Sequence, residues 1–367
     1  MGQDLTESGC KEMIRKLFSL SFVLFFLLGG ISECFAAKIG IAMPNTVVPR
    51  WQTDGATLKE ELEATDNEVI LVFADNKKET QIAQLEDMIA QKCDALLVVP
   101  VDGRSLTEVL AKAKQAGIKI ISYDRLIMNS DAVDYYASFD NFKVGLLQGA
   151  YIEEKLNLKN DDSPKNIEFF TGSIDDNNVN FLWAGDMEIL KPYLVSGRLV
   201  CKSNQTSKED AAVHRWLAEN AKDRMTKLIQ AHNYGPKPDQ TRLDAILCPN
   251  DTVANAIIEV LTKLCGYDAS NMPLITGQDC SKPGAKNIRN GLQSMCVFKD
   301  SRILAIHVVD MVNQMLSGEE VDVNDTTSYD NGTGVIPAYL CDPKVVNKEN
   351  IKEILIDTGY YSLKDLK

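Results

Sequence analysis

The chain has 367 residues, 45% apolar and 25% charged, with 52 acidic against 39 basic side chains and a net charge of −13. That length suits about two domains, and the composition is that of a globular protein. The acidic excess argues against a nucleic-acid partner, because a phosphate-binding surface needs a basic one.

The first 37 residues differ from the rest. Lys11, Arg15 and Lys16 precede a run from Leu17 to Leu28 that is apolar except for Ser19 and Ser21, and small residues follow to Ala36 and Ala37. These are the three parts of a secretory signal, so residues 1–37 are predicted to be a leader and the protein periplasmic. The leader reads better from Met13. The run is shorter than the ~20 residues that span a bilayer. Cys34 would permit lipid attachment, but Glu33 stands where a small residue is wanted. Seven further cysteines follow: Cys93, Cys201, Cys248, Cys265, Cys280, Cys296 and Cys341. None forms C-x-x-C, so neither a zinc nor a redox motif is supported. Export allows a disulfide, and the odd count leaves at least one thiol unpaired.

From Lys38 short apolar runs alternate with helical patterns. Strands are predicted at Lys38–Met43, Val69–Ala74, Ala95–Pro100, Ile118–Tyr123 and Tyr135–Ser138. Leu58 and Leu62, then Ile82, Leu85 and Ile89, then Leu106, Val109, Leu110 and Ala113 mark the intervening helices. The pattern then restarts, with strands at Asn166–Thr171, Leu199–Lys202, Ala245–Cys248, Leu274–Thr276 and Met295–Phe298. Helices are read at Val253–Leu264 and Ile303–Leu316. Strand–helix alternation with apolar strands implies an α/β fold of parallel sheets covered on both faces. Two such runs imply two similar lobes.

Ligands of doubly wound sheets sit beyond the carboxyl ends of the strands. The residues there are Asn45, Arg50 and Trp51; Asp124 and Arg125; Asp140 and Asn141; Asp175 to Asn178; Asn250 and Asp251; Gln278 and Asp279; and Lys299. Arg215 and Trp216 are placed in a helix. Carboxylates, amides and guanidinium groups together match hydroxyls that both donate and accept, and indoles pack on C–H faces, so the mixture suits a sugar. Taken singly, Asp140, Asp176 and Asp251 are better read as helix N-caps, Arg125 as a surface ion-pair member, and either tryptophan as core. Repetition at one end of successive strands favours the site. His214, His232 and His307 lack ligand spacing. No metal or cofactor is expected.

The stretches Ile41-Ala42-Met43-Pro44, Arg50-Trp51, Tyr123-Asp124-Arg125-Leu126, Phe139-Asp140-Asn141-Phe142, Asp175-Asp176-Asn177-Asn178, Leu190-Lys191-Pro192-Tyr193, Gly277-Gln278-Asp279 and Val323-Asn324-Asp325-Thr326 resemble, in order, periplasmic sugar-binding proteins of ABC transporters. The similarity is to the ribose, galactose and xylose type, closest to the xylose-binding and multiple-monosaccharide-binding branch. It implies a type I periplasmic binding protein fold: two doubly wound parallel-sheet lobes joined by a three-segment hinge, with crossings near Asn141, Lys299 and Val335. The first lobe would hold 38–141 and 300–335, the second 142–299 and 336–367.

The resemblance implies no catalysis. It implies a monosaccharide ligand such as xylose, glucose, galactose or arabinose, a membrane permease as partner, a chemoreceptor or sensor kinase as a further one, and a monomer. Asp124 and Arg125 would grip the ring oxygen and nearby hydroxyls. Asn141 would contact a hydroxyl at the hinge. Asp176, Asn178, Asn250 or Asp251, Asp279 and Lys299 would serve the second lobe. Arg50 and Trp51 would cover the sugar from the first lobe and Trp216 from the second. The cations Arg50, Arg125 and Lys299 would admit acidic sugars as well as neutral ones. Three other readings stay open. A dinucleotide-dependent enzyme lacks G-x-G-x-x-G after the first strand. A sugar-responsive transcription regulator would carry a DNA-binding segment where the leader stands. A binding protein for an autoinducer or polyol shares every feature above.

Overall fold

The computed structural model describes residues 36–367; residues 1–35, most of the expected leader, lie outside it. The strands, in chain order, are β1 (Lys38–Met43), β2 (Glu68–Phe73), β3 (Ala95–Val98), β4 (Lys119–Tyr123), β5 (Tyr135–Phe139), β6 (Lys165–Phe169), β7 (Leu199–Val200), β8 (Ala245–Leu247), β9 (Leu274–Ile275), β10 (Met295–Phe298), β11 (Ala338–Cys341) and β12 (Lys344–Asn347). The longer helices are α1 (Pro49–Glu63), α2 (Lys78–Ala90), α3 (Thr107–Gln115), α4 (Asn141–Lys155), α5 (Asn178–Ser196), α6 (Ala218–His232), α7 (Asp251–Val260), α8 (Lys282–Asn290) and α9 (Ser301–Ser317).

The first sheet runs β11-β5-β4-β3-β1-β2, all parallel. Its strands bury side chains on both faces, which explains their unbroken apolar runs. Ile39, Ile41 and Met43 point to one face with Trp51, Leu58, Leu304 and Val308, so α1 and α9 cover it. Ala42, Leu96, Val98 and Ile120 point to the other face with Leu85, Met88, Val109 and Leu110 of α2 and α3. The second sheet runs β7-β6-β8-β9, parallel throughout. A parallel bridge from Gln278 to Val297 extends it to β10, and β12 pairs antiparallel with β10.

Strand membership locates the chain crossings. The chain leaves the first sheet after β5 and enters α4 at Asn141. It leaves β10 of the second lobe and enters α9, which packs on the first sheet. The third crossing corrects the sequence reading. β11 pairs with β5 in the first sheet and β12 with β10, so the chain passes between lobes after Cys341, not near Val335. The segment 336–341 therefore belongs with the first lobe. β11 and β12 have four residues each, with mixed burial. Edge strands this short carry too few apolar positions to show periodicity.

Helices α4 and α5 pack backbone to backbone. A Cβ on Gly145 would lie 2.1 Å from the Leu182 carbonyl oxygen, and one on Gly185 would lie 2.1 Å from the Phe142 carbonyl oxygen. Reciprocal glycines thus set the seat of α4, the helix that starts at the first crossing. Among the described residues, no helix is long and apolar enough to cross a membrane. Gly145→Ala should destabilise the fold by at least about 1–3 kcal/mol, because the clash is with backbone that has no rotamer to move. Thermal unfolding of the two proteins side by side measures this.

Candidate binding site

The site forms where the segments after β1, β4, β5, β6, β7, β8, β9 and β10 meet between the sheets. After β1, Asn45 organises the approach. Its Oδ1 accepts from the Val47 and Val48 amides at 2.9 Å each, and its Nδ2 donates to Asn76 at 2.8 Å. Pro49 then opens α1, where a missing N–H costs nothing. Arg50 and Trp51 follow in the first turn.

A cavity is lined by Val48, Arg50, Trp51, Asp124, Arg125, Asn141, Asp176, Asn178, Leu182, Trp216, Asn250, Gln278, Asp279 and Lys299. Eleven of the twelve residues read from the sequence are brought together there. Asp251 is not. Its carboxylate lies behind the cavity wall, where Oδ2 accepts from the Ser281 amide at 2.7 Å and Oδ1 from Gln293 Nε2 at 2.8 Å. Asn250 is the actual N-cap of α7, its Oδ1 accepting from the Val253 amide at 3.0 Å. Asp251 instead anchors the turn that presents Asp279.

Charges are buried here in matched sets. Arg50 donates from Nε to Asp54 at 3.0 Å, and its Nη2 lies 2.5 Å from Asp124 and Nη1 3.5 Å from Asp279. Lys299 lies 3.3 Å from Asp124, and Arg125 Nε 2.9 Å from Asp176. Burial alone would raise the Asp124 pKa, but Arg50, then Lys299 and Arg125, outweigh it and hold the carboxyl at about 2. Burial wins at Asp54 and Asp176, which are shifted upward against Arg50 and Arg125 respectively. Each of the three cations thus faces at least one carboxylate.

Several polar atoms in the wall are buried without a hydrogen-bond partner. They include both Nδ2 and Oδ1 of Asn141, Oε1 of Gln278, and Nε1 of Trp51 and Trp216. Asn141 is wholly buried. An amide so placed forfeits about 1–3 kcal/mol for each unmet group. A ligand that both donates and accepts would meet it.

Asn178 behaves differently from its expected role. Its Nδ2 donates to the Asp124 carbonyl at 2.8 Å, and its Oδ1 accepts from Tyr136 at 3.0 Å, so it bonds the second lobe to the first. The single Tyr136 hydroxyl proton is shared with the same carbonyl, 2.7 Å away, to which Ser138 also donates at 2.9 Å. Three donors on one oxygen hold Asp124 at φ +58°. Arg215 and Trp216 are also left-handed, at +54° and +59°, on a short turn and not in the regular helix expected for them. Asp279 is at +90°. Such strain persists only where surroundings over-determine it, and it gathers at functional sites. Trp216 lies flat over Gly172, where a Cβ would meet the indole at 2.1 Å.

A model of the periplasmic binding protein domain matches residues 39–320. The chain belongs to this family. This periplasmic binding protein is 42% identical to the multiple sugar-binding periplasmic receptor ChvE of Rhizobium radiobacter, over 92% of this chain and 95% of that one. It is 34% identical to the D-xylose-binding periplasmic protein of Escherichia coli, over 90% and 92%. A crystal structure of an ABC transporter solute-binding protein from Clostridium phytofermentans with bound β-D-glucose superposes with a TM-score of 0.86 at 46% identity, covering 90% of this chain and all of that one. Family membership agrees with the expected two-lobed fold, periplasmic location and absence of catalysis. It also removes the dinucleotide-enzyme and transcription-regulator readings.

Sequence reading left Gln278, Val48, Leu182 and Asp54 outside the candidate set for this periplasmic binding protein. Gln278 had a signal, since it precedes Asp279 at a strand end. Asp54 had another, being four residues after Arg50 on one helical face. Val48 and Leu182 look like any core residue. Asp124 is shifted downward, so its ionised form is favoured by folding. Its stabilisation is complete above about pH 4, the free carboxylate value, and is lost as the pH falls to about 2. Urea unfolding of Asp124→Asn against the natural chain should show a stability gap at pH 7 that closes across that window.

Proposed function

We propose that this protein binds a neutral aldopyranose monosaccharide between its two lobes and delivers it to an ABC importer. The observation that carries the reading is Asn141, whose two amide heteroatoms are buried without partners in the wall of the same cavity as Asp124, Asp279 and Arg50. Hydroxyls on a six-membered ring supply donors and acceptors in several directions at once. Trp51 and Trp216 line the same cavity and offer apolar faces to the C–H groups. The glucose-bound and xylose-binding relatives support an aldopyranose. Because carboxylates already offset the three cations, a neutral sugar is favoured over an ionised uronate.

The mechanism follows from where the groups sit. Arg50, Asp124 and Arg125 come from the first lobe, Asp176, Asn250 and Asp279 from the second, and Asn141 and Lys299 from the crossings. Neither lobe alone satisfies a sugar. Occupancy therefore shifts the population toward the closed form. The importer, and a sensor kinase or chemoreceptor in the same role, would read the closed surface, which displays both lobes in one fixed relation.

Titration calorimetry on the secreted protein tests this with D-glucose, D-xylose, D-galactose, L-arabinose and D-glucuronate. At least one neutral aldose should bind, and more tightly than glucuronate. Asn141→Ala should weaken it about tenfold to a hundredfold, the loss of one or two hydrogen bonds inside a buried site. Asp251→Asn should weaken it less than Asp279→Ala, because Asp251 only supports the turn. Silence with every aldose would sink the proposal and direct the search to polyols and autoinducers.

A further inference from the structure

The seven cysteines of the described residues are all buried thiols, and two of them are close neighbours in space. Cys280 follows Asp279 on the turn after β9, and Cys296 lies on β10, three residues before Lys299. The Cys280 amide donates to Cys296 Sγ at 2.9 Å. That contact, with an N–Cα bond of ~1.46 Å, puts the Cys296 sulfur at most about 4.4 Å from the Cys280 Cα. The ladder fixes this approach: Asp279 N–H donates to the Val297 carbonyl and Val297 N–H to the Gly277 carbonyl, both at 2.9 Å. Cys296 Sγ also donates to Asp251 Oδ1 at 3.1 Å.

We propose that Cys280 and Cys296 are a disulfide-forming pair, oxidised in the exported protein, that clamps the Asp279 turn to the strand leading into Lys299. Two features support it beyond proximity. Export takes the chain to a compartment where disulfides persist. Cys280 keeps a left-handed backbone, φ +50°, next to Asp279 at +90°. A cross-link there would hold a conformation that side chains otherwise disfavour.

The chemistry balances with a disulfide oxidant. Cys296, still exposed, loses its proton to solvent, and the thiolate attacks one sulfur of the oxidant. A mixed disulfide forms and one oxidant thiolate leaves, taking up a proton. Cys280 then loses its proton and attacks the Cys296 sulfur, forming the Cys280–Cys296 bond and releasing the second thiol. Two electrons pass to the oxidant. Both cysteines are fully buried in the folded lobe, and Tyr361 donates to the Cys280 carbonyl at 3.0 Å. The exchange therefore takes place before the C-terminal segment docks.

The test uses the full secreted chain, unfolded, reduced, and refolded with glutathione disulfide as oxidant. After alkylation without reduction and proteolysis, peptides carrying Cys280 and Cys296 should be recovered joined, with the other five thiols alkylated. In Cys280→Ser, Cys296 should become alkylated on unfolding. Dithiothreitol should lower the melting temperature of the natural chain by several degrees and leave that of Cys280→Ser unchanged. Recovery of both cysteines in alkylated form, or of either one joined to a different cysteine, overturns the proposal. This readout needs no sugar, so it stands or falls apart from the binding reading.

Discussion

Arg50 cannot be buried without Asp124, and Asp124 cannot stay ionised without Arg50. An isolated charge in a protein interior costs several kcal/mol or more, and a matched one survives only if its partners are held in place. Here the partners come from both lobes. Arg50 reaches Asp279 across the cleft and Arg125 reaches Asp176. Lys299 reaches Asp124 from a crossing segment. The folded lobes, the position of α1 and the strained backbone at Asp124 all serve this one electrostatic requirement.

The same requirement accounts for selectivity by shape. Replacing buried ion pairs with apolar side chains is often neutral or stabilising, so this set is poorly explained by stability. It is better explained by what a carboxylate and a guanidinium offer a ligand: each carries more than one acceptor or donor, so a group held by its charge partner can still meet a hydroxyl. Water can fill the same positions, but a rigid ring brings several hydroxyls with one ordering cost.

Much of this was legible in the residues. Unbroken apolar runs, and polar residues at their ends, identified eleven of the cavity's residues, because the strand runs and the strand-end chemistry are both local signals. What stayed hidden was long-range. Asp251 and Asn250 are adjacent, and only the fold shows that Asn250 lines the cavity while Asp251 turns away beneath Ser281. Asn178 is committed to Asp124 and Tyr136, partners 54 and 42 residues away. The third crossing depends on β11 choosing the first sheet, a pairing that four residues of mixed burial do not announce. Trp216 needed a left-handed turn that a helical reading does not allow for.

The glycine seam between α4 and α5 has a mechanical consequence. With backbones in contact at Gly145 and Gly185, the two helices lack the side-chain cushion that lets packed elements slide. They form one stiff beam. One member of the beam starts at Asn141, in the cleft and at a crossing; the other starts at Asn178, which grips the opposite lobe. The two amides at the mouth of the cleft thus sit at the ends of a single rigid unit, and their spacing is set by backbone contact.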